Sequence, residues 1–336
     1  MEKGRNLRSV NTDGGVNLQF KLLSAIGIII IVSGHCYHGG MELAYNWFPP
    51  YSYNLALFVF ISGYFYKTDY EENVGKYIWK RTKRLLIPAY LWNIFYGGMV
   101  AFLGLFGFTI GAKPDLYNLF VMPFVDGEAF QYNLGSWFVY PLFLVCIINV
   151  LFRKFLKLIH LDNEFIVLIV YLAIGMIGIN TALENPTAIN GIVKLLVRTM
   201  FFLPCYEFGR FYKAVLEKKD TLNNVAYFAI IFAVQLILLT FCKDLEYTPS
   251  SFTKFNNGFI IPYISSITAI AFWLRVSRLL VPAIGNSKLV RLIADNTYGI
   301  MVNQLVGFMC LKFVFYGLSL ITSGSLFGDF NVASFK

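Results

Sequence analysis

The sequence predicts an all-α membrane protein, a polytopic bundle of nine to ten transmembrane helices. Of its 336 residues, 57% are hydrophobic and only 14% are charged, whereas about 25% of the residues in a soluble domain are charged. Apolar runs of about 20 residues, the length that an α-helix needs to cross a bilayer, recur along the whole chain. We expect a single integral membrane domain over residues 1–336, in contact with the lipid bilayer throughout.

Nine apolar runs predict helices that cross the membrane. They lie near residues 18–38, 47–66, 85–107, 134–152, 164–182, 191–212, 223–242, 257–275 and 295–318. An odd number of spans puts the two chain ends on opposite sides of the membrane. We therefore expect either a short external tail after the ninth span or a chain that is truncated before a tenth.

The basic residues predict the orientation of the bundle. Most of the 28 Lys and Arg residues fall in alternate connections, and such connections stay on the cytoplasmic side. These basic segments are 1–20, 67–84, 153–162, 210–222 and 275–291. The alternation predicts a cytoplasmic N-terminus. It also accounts for the net charge of +9 through contacts with anionic lipid head groups, so we expect no nucleic-acid partner.

His35, at the far end of the first span, is the first candidate for a functional residue. An ionisable side chain inside a membrane helix is costly to bury and is a functional candidate by default. The alternative is a histidine that is hydrogen-bonded between helices. His38 follows one turn later, but no third ligand is evident and the five cysteines show no C-x-x-C spacing, so we expect no metal site.

Lys21 lies near the opposite end of the same helix as His35. Their separation corresponds to about 40° around the helix and about 21 Å along its axis, so they project from similar faces. Lys21 either marks the cytoplasmic mouth of a functional path or is an interfacial lysine whose ammonium group reaches the water.

A basic segment that contains Lys80, Arg81 and Arg84 precedes the third span. Arg81 and Arg84 are close enough in sequence to share a helix face at the cytoplasmic entry of that span. Two guanidinium groups there would bind an anionic phosphate ligand. A basic cytoplasmic connection without a binding role is the alternative.

Small and charged residues in other spans give weaker signals. Ser62 and Gly63 allow close helix packing near the cytoplasmic end of the second span. The later spans contain four charged residues, Lys194, Arg198, Glu207 and Asp295. Either an ion pair inside the bundle or contact with a substrate would account for them.

These strings, in this order, resemble the acyltransferase 3 family of integral membrane acyltransferases. The resemblance rests first on Val32-Ser33-Gly34-His35, Phe60-Ile61-Ser62-Gly63-Tyr64-Phe65 and Lys80-Arg81-Thr82-Lys83-Arg84-Leu85-Leu86-Ile87-Pro88. Weaker similarities follow at Ser136-Trp137-Phe138, Glu207-Phe208-Gly209 and Asn296-Thr297-Tyr298-Gly299-Ile300. The first three strings cover residues 20–92, and the others extend the similarity over most of the chain.

The resemblance implies a ten-helix protein of the cell membrane, specifically a bacterial cytoplasmic membrane. Such a protein transfers an acyl group, usually acetyl, from cytoplasmic acetyl-CoA to a hydroxyl of an extracytoplasmic sugar or cell-surface polysaccharide. The family's essential histidine corresponds to His35. Its arginines correspond to Arg81 and Arg84, with Lys80 and Lys21 as further candidates for donor binding.

The chain departs from the family pattern at three places. Ser24 stands where the family commonly has an arginine, which leaves Lys21 as the nearby substitute. Asn54 stands where some relatives have a second histidine, and Asn303-Gln304 replaces a histidine that is often found late in the last motif. Ser62, Asn54, Arg198 and Glu207 remain candidates for either substrate contact or structure.

Two mechanisms and two other functions stay open at this point. A neutral His35 would take the proton of the sugar hydroxyl as it attacks the thioester, or it would carry the acyl group as a covalent relay. The main alternative is a transporter or flippase for a saccharide or lipid-linked intermediate, whose path would be lined by His35, Lys194, Arg198 and Asp295. A membrane acyltransferase of another fold, acting on a lipid or a protein, is the second.

Overall fold

A computed structural model of the protein describes residues 12–13, 16–35, 46–107, 112–187, 189–242, 245, 247 and 253–321. His38, the last residues of the first predicted span and the chain after Ile321 lie outside these ranges. Two short strands, β1 (Thr12–Asp13) and β2 (Val16–Asn17), pair antiparallel just before the first helix.

The rest of the described chain is largely helical. Its α-helices are α1 (Leu18–Gly34), α2 (Asn54–Tyr64), α3 (Val74–Arg81), α4 (Ile87–Leu105), α5 (Met122–Val125), α6 (Val139–Leu158), α7 (Glu164–Glu184), α8 (Gly191–Phe211), α9 (Asn224–Phe241), α10 (Ile261–Ile284), α11 (Lys288–Asp295) and α12 (Thr297–Ile321). Short π-helical turns span Thr82–Leu86, Tyr117–Val121 and Tyr212–Leu216, and 3₁₀ segments span Pro50–Ser52, Thr68–Glu71 and Gln131–Phe138.

Each of the nine predicted spans overlaps one of these helices. Within the described residues, six helical segments are long and apolar enough to cross a membrane. They are 74–105, 131–158, α7, α9, α10 and α12. Helices α1 and α2 are apolar but shorter. The prediction of an all-α protein with several membrane helices is confirmed.

An asparagine side chain caps the N-terminus of three of the helices that follow basic connections. Asn17 accepts a hydrogen bond from the amide of Phe20, Asn163 from that of Phe165, and Asn223 from that of Ala226. An N-cap side chain of this kind satisfies an amide that has no partner within the helix. These caps set the bounds of α1, α7 and α9 at positions close to the predicted ones.

Several of the predicted basic connections are partly helical, including 210–222 and 275–291. In the segment 67–84, residues from Val74 onward are helical, because α3 continues through the turn Thr82–Leu86 into α4. Arg153, which we assigned to the connection 153–162, lies inside α6 and is completely buried. Its positive charge is tolerated inside the bundle because carboxylates surround it, as described below.

The packing of α2 against α8 depends on two glycines. A Cβ added to Gly63 would collide with the backbone carbonyl of Tyr206, and one added to Gly209 would collide with that of Phe60. The two helices therefore approach backbone to backbone, as glycine permits at helix interfaces in membranes. This confirms the packing role predicted for Gly63.

Contacts between connections define two ends of the bundle. At the basic end, Lys21 pairs with Asp295, and the hydroxyl of Tyr64 donates to Glu217 at 2.8 Å. At the other end, which we call the His35 end, the hydroxyl of Tyr51 donates to the carbonyl of Gly34 at 3.2 Å, and Lys194 pairs with Glu128. Helix ends and connections that the sequence assigned to one side thus contact one another.

Candidate functional site

A cavity of about 280 Å³ lies between α1, α2, α6, α12 and the turn Thr82–Leu86. Its wall is mostly apolar, and its polar side chains are Ser24, Ser62, Arg84, Thr297 and Tyr298. These residues come from segments far apart in sequence. They belong to the first span and to three of the family strings quoted above, those that begin at Phe60, Lys80 and Asn296. Phe138, from the string that begins at Ser136, also lines the cavity.

Arg84 is the cationic group of this cavity. Its side chain is exposed and makes no hydrogen bond or ion pair with any residue that the structure describes. A free guanidinium beside an apolar cavity can bind a phosphate or carboxylate through two parallel hydrogen bonds. Arg84 is therefore available to a ligand.

Arg81 has a different environment from Arg84. Its Nε donates to the hydroxyl of Tyr77 at 3.0 Å, and its guanidinium lies 5.1 Å from the centre of that ring. Lys80 similarly donates to the hydroxyl of Tyr70 at 3.2 Å. Because the π-helical turn begins directly after Arg81, the backbone no longer keeps the two arginines on one helix face. Of the three basic candidates in this segment, only Arg84 lines the cavity.

Tyr298 is a cavity residue that the sequence did not single out. Its hydroxyl is buried and has no hydrogen-bond partner among the described residues. Buried tyrosine hydroxyls normally find a partner, so this one is free to bond a ligand or water in the cavity. The sequence held one signal for Tyr298, since it is a polar aromatic residue of the string 296–300 at the start of an apolar span.

His35 lies outside the cavity but on the same helix face as Ser24. It follows the last residue of α1, is exposed, and packs its ring edge-on against Tyr51 at 6.1 Å. Helical geometry puts Ser24 and His35 within about 20° of each other and about 16 Å apart along the axis. The cavity and His35 therefore occupy different heights on one face of α1.

Lys21 and Asp295 form an ion pair at the basic end of α1, and neither residue lines the cavity. The side chain of Lys21 is 32% exposed and that of Asp295 is 56% exposed. Each residue thus has a partner within the protein, and the donor-binding role expected for Lys21 stays a prediction.

Three other predicted residues are engaged within the bundle and also lie outside the cavity. The side chain of Asn54 accepts a hydrogen bond from the amide of Leu55 at 2.7 Å. Arg198 is buried, donates to the carbonyl of Gly127, and lies 4.3 Å from the centre of the Trp137 ring. Glu207 is paired with Arg153. Of the four candidates left open between substrate contact and structure, only Ser62 lines the cavity.

Arg153 organises a buried charge network at the basic end that the sequence analysis missed. Its Nη2 lies 2.7 Å from a carboxylate oxygen of Glu207 and 2.7 Å from one of Glu164, and its Nε donates to Asn149 at 3.3 Å. Arg210 also pairs with Glu164, at 2.8 Å. A signal existed in the sequence, because Arg153 follows Asn149, a polar residue of the predicted span 134–152, by one helical turn and so shares its face.

The described residues contain no group of three or more His, Cys, Asp or Glu that could hold a metal ion. His38, the partner of His35 in the metal pair considered above, lies outside the described residues. The prediction that the site holds no metal stays a prediction.

A family model described as an acyltransferase domain, that of the acyltransferase 3 family, matches residues 17–327. The match includes every string on which the resemblance rests. No curated protein and no solved structure matches the chain.

Proposed function

Because the chain belongs to the acyltransferase 3 family, we propose that it transfers an acyl group, acetyl in the first instance, from acyl-CoA to a hydroxyl of an extracytoplasmic sugar or cell-surface polysaccharide. The coarser part of this statement follows directly from the family and the apolar helices, which make the chain a multi-pass membrane acyltransferase. The donor, the acceptor and the roles of the residues are the proposal.

The convergence of the sequence motifs on one cavity is the observation that supports this proposal best. Acyl-CoA combines anionic phosphates with a long flexible arm that contains two amides and ends in the thioester. Arg84 would bind a phosphate, and the hydroxyls of Ser24, Ser62 and Tyr298 would hydrogen-bond the amides of the arm. The apolar wall would exclude water, which competes with the sugar hydroxyl for the acyl group.

His35 would perform the proton transfers. The oxygen of the sugar hydroxyl attacks the thioester carbonyl, and a ring nitrogen of neutral His35 takes the hydroxyl proton. The carbon–sulfur bond then breaks, and the departing thiolate takes the proton back from His35. In the relay variant, a ring nitrogen of His35 attacks the thioester carbonyl, the carbon–sulfur bond breaks, and the departing thiolate takes the proton of the other ring nitrogen. The sugar hydroxyl then attacks the acyl-imidazole, the carbon–nitrogen bond breaks, and the hydroxyl proton returns to the ring.

His35 lies on the same face of α1 as Ser24 but toward the end of the bundle opposite the basic end. This position suits a reaction whose donor and acceptor approach from different sides. The transporter alternative gains no such support. Three of its four candidate path residues, Lys194, Arg198 and Asp295, are bonded within the bundle.

The test measures transfer of radiolabelled acetyl groups from acetyl-CoA to cell-surface polysaccharide in membranes. We expect His35→Ala to lower the rate by about 10²–10⁴-fold, the usual contribution of a general acid–base group. His160→Asn is the matched control, since His160 lies in the connection between α6 and α7, away from the cavity. Amounts of inserted protein are compared by quantitative blotting.

Each outcome has a distinct meaning. Loss of labelling in His35→Ala but not in His160→Asn supports both the reaction and the role of His35. Equal labelling in all three proteins supports the reaction and rejects His35 as the base. Absence of labelling with the wild-type protein, while a positive-control membrane acetyltransferase is active in the same assay, rejects acetyl-CoA as the donor.

A further inference from the structure

We propose that the protein binds one hydrocarbon chain of an anionic phospholipid in a second cavity, between α7 and the pair α9–α10 at the basic end of the bundle. This site lies apart from the cavity that contains Arg84, and the inference does not depend on the acyl-transfer reaction.

The second cavity has a volume of about 440 Å³ and an apolar wall. Its wall includes Leu168 of α7, Ile267 and Ala271 of α10, Phe60 of α2 and Phe208 of α8. All of these side chains are hydrocarbon at their surface. A cavity of this kind offers water too few hydrogen-bond partners to be well hydrated, so an apolar occupant is favoured.

The two tyrosines of the wall do not alter this character. The hydroxyl of Tyr227 donates to the carbonyl of Ala271 at 3.0 Å, and that of Tyr212 accepts a hydrogen bond from Arg278 at 2.9 Å. Because both hydroxyls are bonded within the protein, the tyrosines present mainly their rings to the cavity.

The cavity is accessible from the lipid side of the bundle. Helices α7, α9 and α10 are among the segments able to cross a membrane, and the wall residues Ile267 and Leu216 are 40% and 45% exposed. In a bilayer, the molecules that contact such a surface are lipid chains. A lipid chain would fill the space between helices that otherwise have no packing partner there.

The edge of the cavity toward the basic connections is cationic. Asp220 is paired with both Arg275 and Arg278, so its negative charge is more than compensated. Lys219 lines the same edge, and its side chain makes no hydrogen bond or ion pair with any described residue. Glu217 also lies near Tyr212 at this edge. The three cations still outnumber the two carboxylates, which suits a phosphate head group attached to the chain in the cavity.

The experiment uses the full-length protein in nanodiscs that contain phosphatidylcholine and either photoactivatable phosphatidylglycerol or photoactivatable phosphatidylcholine. The photoreactive group is on the acyl chain, and labelled peptides are identified by mass spectrometry. We expect phosphatidylglycerol to label the peptides that contain Leu168 and Ala271. Phosphatidylcholine should label them several-fold less, because it lacks the net negative charge that Lys219 attracts.

Substitutions that fill the cavity from two different helices, Leu168→Trp and Ala271→Trp, should abolish this labelling. Ile237→Trp is their control, since Ile237 is 57% exposed on α9 and does not line the cavity. Lys219→Gln should reduce the phosphatidylglycerol labelling by about fivefold, the effect of about one surface cation on an anionic lipid. Lys154→Gln, which removes an exposed charge from the end of α6, should leave it unchanged.

Labelling that is unaffected by both Leu168→Trp and Ala271→Trp would overturn the proposal, as would equal labelling by the two lipids. An equal response to Lys219→Gln and Lys154→Gln would reject the head-group contact and with it the anionic lipid. Two filling variants are used so that a folding defect in one, detected by size-exclusion chromatography, does not remove the test.

Discussion

Arg153 on α6 and Glu207 on α8 form an ion pair in which both side chains are completely buried, with 2.7 Å between Nη2 and Oε2. Glu164 approaches the same nitrogen at 2.7 Å, so the network joins α6, α7 and α8. Removal of one partner from a buried pair leaves an uncompensated charge and costs about 3–5 kcal/mol. The position of Glu207 thus points to a structural role.

Glu207→Gln should therefore lower the stability of the folded protein by about 3 kcal/mol, the lower end of that range, because Arg153 retains its contact with Glu164. Thermal unfolding in detergent, followed by fluorescence, measures the effect. Lys154→Gln, a loss of an exposed charge beside Arg153, is the control and should have little effect. Loss of acyl transfer with unchanged stability would instead place Glu207 in the chemistry.

Gly209→Ala should separate α2 from α8. The added Cβ meets the backbone of Phe60, which cannot move as a flexible side chain would, and overpacking of this kind costs about 1–3 kcal/mol. The matched control is Gly98→Ala, since a Cβ at Gly98 in α4 meets nothing within 4 Å and alanine is favoured over glycine in a helix by about 0.5–1 kcal/mol. Equal stabilities of the two variants would contradict the close packing.

Arg84→Gln and Arg81→Gln should have different effects. Loss of the free guanidinium of Arg84 should raise the KM for acyl-CoA by roughly 10- to 100-fold, the equivalent of a charge-assisted hydrogen bond, with little change in stability. Arg81→Gln removes the contact with Tyr77 and should mainly lower the unfolding temperature. Steady-state kinetics and thermal unfolding of both variants provide the test, and a KM effect confined to Arg81→Gln would reverse the assignment.

Glu71 should give the protein a pH-dependent stability. Burial raises the pKa of Glu71 above its ordinary value of 4.5, and the nearby carboxylate of Asp162 raises it further. The folded state therefore favours the protonated acid. Protonated Glu71 therefore stabilises the folded protein fully below about pH 4.5. This stabilisation is lost as the pH rises through the pKa that Glu71 has in the folded state.

Glu71→Gln mimics the protonated acid and keeps an oxygen that can accept the hydrogen bond from Tyr66. We expect this variant to be more stable than the wild type at neutral pH, and the difference to vanish as the pH falls toward 4.5. Unfolding temperatures measured across this range test the expectation. Glu72→Gln, at an exposed neighbouring position, serves as the control, and a similar gain from it would show that burial of Glu71 is not the cause.

The helices were predictable because each depends on its own segment. A membrane helix satisfies its backbone hydrogen bonds internally, so a local apolar run suffices to locate it. The predicted span 164–182 is α7, Glu164–Glu184, and 191–212 is α8, Gly191–Phe211. The clearest difference is at α10, predicted at 257–275 and observed as Ile261–Ile284, because Arg275 and Arg278 pair with Asp220 and so remain within the helix.

The candidate site was only partly predictable. Ser62 and Arg84 were named from the sequence and line the cavity, whereas Arg81 stands three positions from Arg84 but bonds to Tyr77. Tyr298 was missed, because the burial of its hydroxyl depends on the packing of α12 beside α1 and α6. No local pattern specifies such a contact.

The sequence by itself determined the class of the protein, the positions of its helices, the alternation of its basic connections and its family, since all four depend on residues close together in the chain. Only the tertiary structure decided which charges are paired and which are free. Lys21, Arg153 and Lys194 are bound to carboxylates, while Arg84 and Lys219 remain available. The physical reason is that an ion pair or a cavity depends on side chains from several helices, and their distances are set when the helices pack.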